Sequence, residues 1–154
     1  MTGRILRRLA ELGIELPKPP APVASYVPAI LSGPLLFISG QVSTENGKLI
    51  AGKLGGGTDV ETGQRAARAC ALNLIAQAQA ALGDLDRIHA CVKLTGFVNS
   101  TPEFVDHPKV INGASDLMVE VFGDSGKHAR AAVGASSLPL GAAVEVEAIF
   151  EIKT

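Results

Sequence analysis

The chain has 154 residues, with 14 Lys and Arg against 15 Asp and Glu, and aromatic residues make up 4% of it. This length suits one domain built around one hydrophobic core. A formal charge of -1 and few rings on which unpaired bases could stack argue against a nucleic-acid partner. Charged residues are 19%, below the roughly 25% usual for soluble domains, so we expect the chain to associate with copies of itself.

Targeting and metal signals are weak in this sequence. No stretch approaches the roughly 18 consecutive apolar residues of a membrane span, and the N-terminal arginines are not followed by the apolar core of a signal peptide. We therefore expect a cytoplasmic protein with no membrane partner. The three histidines are not spaced as zinc ligands, so no metal site is expected. Cys70 and Cys91 are interpreted as buried thiols.

Residues 1–16 form the first predicted segment, a short helical extension. Ile5 and Leu9 stand one turn apart, as on the apolar face of an amphipathic helix. Residues 17–23 follow as a connector with four prolines, which remove backbone donors and favour extended chain. The compact domain is therefore expected over residues 24–154.

The domain is predicted to open with three strands. A first strand follows residue 24, and residues 35–42 form a nearly continuous apolar run, typical of a strand buried on both faces. Asn46-Gly47 supplies the two positive-φ residues of a tight turn. Residues 48–53 are predicted to return as the third strand.

Two helices are predicted in the rest of the domain. Thr58 and Glu61 have the spacing of a capping box, and Gly83 stands where a left-handed C-terminal cap is expected, which brackets the longer helix. Residues 110–122 repeat apolar side chains at helical spacing, with Gly123 directly behind them.

Alternating apolar and polar residues predict a strand over 88–99, and two more over 130–135 and 142–152, joined by a loop of hairpin length. The predicted fold is an α+β sandwich in which a mixed six-stranded sheet carries two helices on one face, with a short N-terminal helix in addition. The other face of the sheet has no helix to cover it. Self-association through this face is the expected consequence.

The terminal hairpin is where chemistry is predicted. If the turn is centred between Ser137 and Leu138, Arg130 lies directly opposite Glu145, close enough for their side chains to interact. One interpretation is a cross-strand ion pair that sets the register. The other is a pocket in which Arg130 binds a substrate carboxylate in a bidentate fork and Glu145 moves a proton or orients a water. Both interpretations remain open at this point.

Three further positions are ambiguous by residue type alone. Tyr26, the single Tyr of the chain, is either a packing residue or a ligand contact. Asn112 lies inside a helical pattern, where it either caps locally or reaches into a site. Gly40 inside a strand marks a bulge or a close backbone approach.

Several segments together resemble the reactive intermediate deaminase (Rid) family, whose members are also called translation inhibitors or L-PSP endoribonucleases. The resemblance covers most of the chain, and its most specific part is an Arg followed by Leu-Pro and a VEVEA strand. The segments are Ala21-Pro22 with Tyr26, FISGQV at 37–42, Asn112, RAAV at 130–133, Leu138-Pro139 and VEVEA at 144–148.

This resemblance implies a chorismate-mutase-like fold and a homotrimer whose sheets form a central barrel, with pockets between subunits. It implies that Arg130 binds the carboxylate of a 2-imino or enamino acid and that Glu145 directs water at the imine carbon. No cofactor is implied, and the products would be a 2-oxo acid and ammonia. Tyr26, Gly40 and Asn112 would line the pocket, as would the backbone of Ala132, where many members have Cys.

Two departures indicate a subgroup with an N-terminal helical extension: the extra helix with its proline connector, and the long loop at 101–109. Two other functions remain open. One is non-catalytic binding or sensing of a small carboxylic acid such as a keto acid. The other is endoribonuclease or translation-inhibitor activity, against which the formal charge of -1 argues.

Overall fold

A computed structural model describes residues 3–19 and 25–154, and within these ranges it has three helices and seven strands. The expected start of the domain at residue 24, most of the connector and Ala21-Pro22 lie outside the described residues. In chain order the elements are α1 (Arg4–Glu11), β1 (Ala29–Ser32), β2 (Leu35–Val42), β3 (Thr44–Glu45), β4 (Lys48–Leu49), α2 (Val60–Leu82), β5 (Ile88–Asn99), α3 (His107–Phe122), β6 (Ala129–Ala135) and β7 (Val144–Ile152). Short 3₁₀ turns occur at Leu85–Arg87, Gly123–Gly126 and Pro139–Gly141.

The sheet is mixed, as predicted, but it has five strands instead of six, in the order β1-β2-β7-β5-β6. The turn at Asn46-Gly47 forms with φ of 52° and 77°. It joins only the two-residue strands β3 and β4, which form a separate ribbon. The third strand predicted over 48–53 is therefore limited to β4, and beyond it only an isolated antiparallel bridge joins Ala51 to Ala142.

The predicted terminal hairpin is wrong. β6 does not pair with β7; it pairs in parallel with β5, and β7 runs antiparallel between β2 and β5. The reason is the helix between β5 and β6. α3 carries the chain back to the end of the sheet where β5 began, so β6 runs in the same direction as β5, as in a βαβ unit.

Both long helices pack on one face of the sheet, as predicted. α2 ends at Gly83 with φ of 77°, but its N-cap is Asp59, whose side chain accepts from the Thr62 backbone N–H at 2.8 Å. The predicted cap, Thr58, instead accepts from the Lys53 backbone N–H at 3.0 Å. α3 begins at His107, earlier than the predicted residue 110, because Pro108 is accommodated in its first turn.

Close helix packing needs glycine at one position. A Cβ at Gly113 of α3 would overlap the backbone carbonyl oxygen of Gln64 on α2. Small residues at such a crossing let two helices approach and cover the sheet together. Beneath them lies a continuous core that includes Leu74, Leu117 and Phe150. Cys70 and Cys91 are both buried in it, and burial raises the pKa of Cys91 to about 12.

The opposite face of the sheet carries apolar side chains without a covering layer. Ile30, Phe37 and Val133 are all more than a third exposed there, with values of 59%, 38% and 44%. Glu145 and Glu147 of β7 share this face, because they alternate with the buried Val144 and Val146. We call it the open face. Among the described helices, none is long and apolar enough to cross a membrane.

Candidate active site

Arg130 is held by α3 on the helix-covered side of the edge strand β6. Its Nη1 donates to Asn112 Oδ1 at 2.8 Å and to Ser115 Oγ at 3.2 Å. Both acceptors are neutral, so they position the guanidinium without cancelling its charge. Within residues 3–19 and 25–154, no carboxylate oxygen lies within 4.0 Å of Arg130. The guanidinium can therefore take up a carboxylate from a ligand.

A second layer of hydrogen bonds orients Ser115. His128 Nδ1 donates to the Gly126 carbonyl at 2.6 Å, so Nε2 of the neutral ring is an acceptor, and it lies 2.8 Å from Ser115 Oγ. The Ser115 hydroxyl proton therefore goes to His128, which leaves the oxygen to accept from Arg130. Sequence reasoning missed both residues. Their spacing could have indicated them, since Ser115 follows Asn112 by one helical turn and His128 precedes Arg130 by one strand repeat.

Glu145 is not opposite Arg130 in one chain, contrary to prediction. Arg130 aligns with Leu94 of β5, whereas Glu145 aligns with Phe97, three residues along and one strand beyond. Arg130 also points toward α3, and Glu145 points to the open face. The cross-strand ion pair is therefore absent from the described chain, because β5 separates the two strands that were expected to pair.

Glu145 has its own close partner in Gly40. The register of β2 against β7 shifts between Ile38 and Gln41, which is the bulge that a glycine in this strand indicated. A Cβ at Gly40 would overlap the Glu145 carboxylate, so the absence of a side chain there makes room for the acid. Partial burial, and next the like charge of Glu147, raise the pKa of the Glu145 carboxyl above its usual range.

Ala132 and Tyr26 are the remaining predicted residues. Ala132 follows Arg130 on the same side of β6 and packs against the core. Tyr26 precedes β1 and is 60% exposed. Near it, Ser39 Oγ donates to the Val27 carbonyl at 2.8 Å, which ties the segment before β1 to the strand that contains Gly40.

The structure thus divides the predicted site in two. Arg130, Asn112 and Ala132 lie at the β6 edge under α3. Gly40 and Glu145 lie on the open face, between β2 and β7. In one chain the two halves are on opposite sides of the sheet and do not form a single pocket.

The chain matches, over residues 6–152, the family described as YjgF/chorismate mutase-like, putative endoribonuclease. Protein TCP17 of Trypanosoma cruzi is 51% identical over 153 residues, covering 98% of this chain and 96% of that protein. The crystal structure of Atu1372 from Agrobacterium tumefaciens, a protein of unknown function, is similar with a TM-score of 0.90 and 52% identity, covering 97% of this chain and 92% of that one. The crystal structure of an endoribonuclease-like protein from Shewanella oneidensis is similar with a TM-score of 0.93 and 36% identity, covering 97% of this chain and 100% of that one.

This protein belongs to the YjgF/Rid family. The match spans nearly the whole chain and includes all of α1 except its first two residues. The observed α+β architecture is the one predicted from the residue patterns, and it matches the chorismate-mutase-like fold that the family resemblance implied.

Proposed function

We propose that this protein hydrolyses 2-imino or enamino acids to 2-oxo acids and ammonia, without a cofactor, at a site assembled between copies of the chain. In this proposal the Arg130 half of the site in one copy faces the Glu145 half of a neighbour. The proposal keeps the roles that the family resemblance implies and explains why the two halves are apart in one chain.

The observation that carries the proposal is the charge of Arg130. The side chain is held by two neutral acceptors, Asn112 and Ser115, at 2.8 and 3.2 Å, and no described carboxylate pairs with it. A structural arginine at a sheet edge would gain by pairing with one of the acids of its own chain. A guanidinium that is positioned but not neutralised is suited to a carboxylate ligand.

Glu145 supports the proposal from the other side. The raised pKa makes the Glu145 carboxylate a stronger base than that of an ordinary glutamate. It also brings the pKa closer to the working pH, where proton transfer is more efficient. Because Gly40 has no side chain, the Glu145 carboxylate fits against the backbone of β2, and it is only partly buried there.

The open face supports assembly. Ile30, Phe37 and Val133 expose apolar surface where the chain's own helices do not reach. Covering such a face with copies of the same chain removes the apolar surface from water and closes the exposed sheet. We propose the homotrimer that the family resemblance implies, in which three open faces form the inner barrel.

The chemistry needs only positioning and one proton carrier. Arg130 binds the substrate carboxylate, and Glu145 takes a proton from a water that attacks the imine carbon. That proton is returned to the imine nitrogen, which gives the neutral carbinolamine. Glu145 then carries the hydroxyl proton of the carbinolamine to its amino group, the C–N bond breaks as the C=O bond forms, and ammonia and the 2-oxo acid are released. Such orientation with general acid-base help supplies roughly 10²- to 10⁴-fold acceleration, enough for a substrate that already hydrolyses in water.

The test couples the protein to an amino-acid dehydratase that releases 2-iminobutyrate and follows 2-oxobutyrate formation. We expect acceleration by the wild type and a loss of roughly 10- to 100-fold in kcat/KM for Arg130→Ala, the range expected for charge-assisted hydrogen bonds. Arg68→Ala is the matched control, because Arg68 lies on the outer helical surface, 3.5 Å from Glu120.

The outcome also separates the proposal from its alternative. Calorimetric binding of 2-oxobutyrate by wild type, with no acceleration of imine hydrolysis, would show a carboxylic-acid binding protein instead of an enzyme. An equal rate for Arg130→Ala and wild type would remove Arg130 from the reaction.

A further inference from the structure

A cavity of about 400 Å³ lies at the far end of β6 from Arg130. Lys53, Ser100 and His107 supply its polar groups, and Pro102 and Phe104 supply apolar wall. Pro102 and Phe104 come from the loop between β5 and α3, and His107 is the first residue of α3. None of them belongs to either half of the site described above.

Lys53 brings an unbalanced positive charge to this cavity. Its Nζ donates to Asn99 Oδ1 at 2.8 Å and to the Ser136 carbonyl at 2.5 Å. These two bonds fix the ammonium with neutral oxygens and leave one of its three protons free. No carboxylate of the described chain lies within 4.0 Å of it. A half-buried ammonium without a counter-charge favours an anion.

Ser100 and His107 form a hydrogen-bonding pair beside that charge. Ser100 Oγ lies 3.3 Å from His107 Nε2, and the edge of the ring packs on Phe104 with centroids 5.3 Å apart. When Nε2 carries the imidazole proton and donates to Ser100, the hydroxyl proton is free for a ligand. The Ser100–His107 pair thus adds a neutral hydrogen-bond donor to the charged donor of Lys53.

Gly134 keeps this arrangement open. A Cβ at this position would lie 2.6 Å from His107 Nε2 and 2.8 Å from Ser100 Oγ, so any side chain would displace both groups. The backbone of β6 at Gly134 therefore forms one wall against which the hydroxyl and the imidazole stay in place.

We propose that this cavity binds a small organic monocarboxylate. The Lys53 ammonium balances a single negative charge and the Ser100 hydroxyl adds a neutral donor, whereas a phosphate dianion would call for more positive charge than Lys53 supplies. The ring of Phe104 and the ring of Pro102 suit a short apolar tail on the acid, and the volume lies in the range of small-molecule sites. This inference goes beyond the proposed function and does not depend on it, because Arg130 and Glu145 take no part in the cavity.

The test is an amide NMR titration of the full chain with butyrate, and separately with inorganic phosphate. We expect butyrate to shift the Ser100, His107 and Gly134 signals. Lys53→Met should weaken binding at these three signals by roughly tenfold or more, as loss of a charge-assisted contact does. Lys48→Met, which removes the same charge from the exposed β4, is the matched control.

Two further variants keep the result decisive. Lys53→Met also removes the bonds to Asn99 and Ser136, so Ser100→Ala, which leaves them intact, should weaken the same shifts. Arg130→Ala should leave them unchanged, which separates this site from the proposed active site. The proposal is overturned if the three signals stay still at saturating butyrate, respond equally in Lys53→Met, or respond to phosphate alone.

Discussion

Glu145 and Glu147 stand two residues apart on one face of β7, and their mutual repulsion has a kinetic consequence. The proposed working form of Glu145 is the carboxylate, so activity should fall as pH falls through its pKa. Burial and the charge of Glu147 raise that pKa. Glu147→Gln removes the second cause, so the acid limb of the pH dependence of kcat/KM should move to lower pH.

The measurement is 2-oxo acid release across pH, corrected for spontaneous imine hydrolysis. Glu151→Gln is the control, because Glu151 shares the strand and the face but lies by His89, with 3.9 Å between Oε1 and Nε2. It should leave the acid limb in place. An identical limb for wild type and Glu147→Gln would mean that another group controls the activity.

At the scale of elements, α1 is attached to the domain by a cap from far along the chain. Gly3 at its N-cap has no side chain, and Asp86 of the 3₁₀ turn before β5 takes that role. Its carboxylate oxygens accept from the backbone N–H groups of Arg4 and Ile5 at 2.7 and 2.9 Å. These bonds lower the pKa of Asp86. Burial of Ile5 and Leu9 completes the attachment.

We expect Asp86→Ala to lower the free energy of unfolding in urea by about 0.5–2 kcal/mol, the usual cost of losing a helix cap. Because the folded pKa is lowered, this contribution is present above the unfolded pKa and is lost as pH falls through the folded one. The difference from wild type should therefore shrink in acid. Asp124→Ala, with a side chain 99% exposed beside Lys127, should stay near wild type. Equal losses in the two variants would argue against the cap.

At the scale of the whole molecule, the proposal predicts that contacts through the open face bring the two halves of the site together. Val133→Glu puts a charge into this face, and we expect it to convert the assembly to monomers because a buried unpaired carboxylate is costly. Val119→Glu is a matched control on the outer surface of α3, at a position that is 37% exposed. Light scattering after gel filtration gives the mass of each variant.

The same pair of variants connects assembly to activity. Val133→Glu should lose imine hydrolysis although Arg130 and Glu145 are both intact, whereas Val119→Glu should keep it. If Val133→Glu retained the wild-type mass, the open face would not be the interface. If it were a fully active monomer, the site would lie within one chain.

Much of the fold could be predicted because its signals are local. Gly83 ends α2 with a left-handed conformation, Asn46-Gly47 forms its turn, and the apolar repeats locate both helices. Two errors concern where the helices begin. Asp59, next to Thr58, is the N-cap of α2, and Pro108, which was predicted to lie in a loop, is in the first turn of α3.

Strand partners, in contrast, were decided only by the tertiary structure. Residues 130–135 and 142–152 are near in sequence, which suggested a hairpin, yet α3 aligns β6 with β5 and β7 finds two partners elsewhere. The side chains of the predicted site could therefore be named from the sequence, but their separation onto two faces could not. Residue type and spacing determine which chemistry a side chain offers and which way it points on its own element. Which elements lie next to each other depends on long-range burial and hydrogen bonding, and no short segment of the chain contains that information.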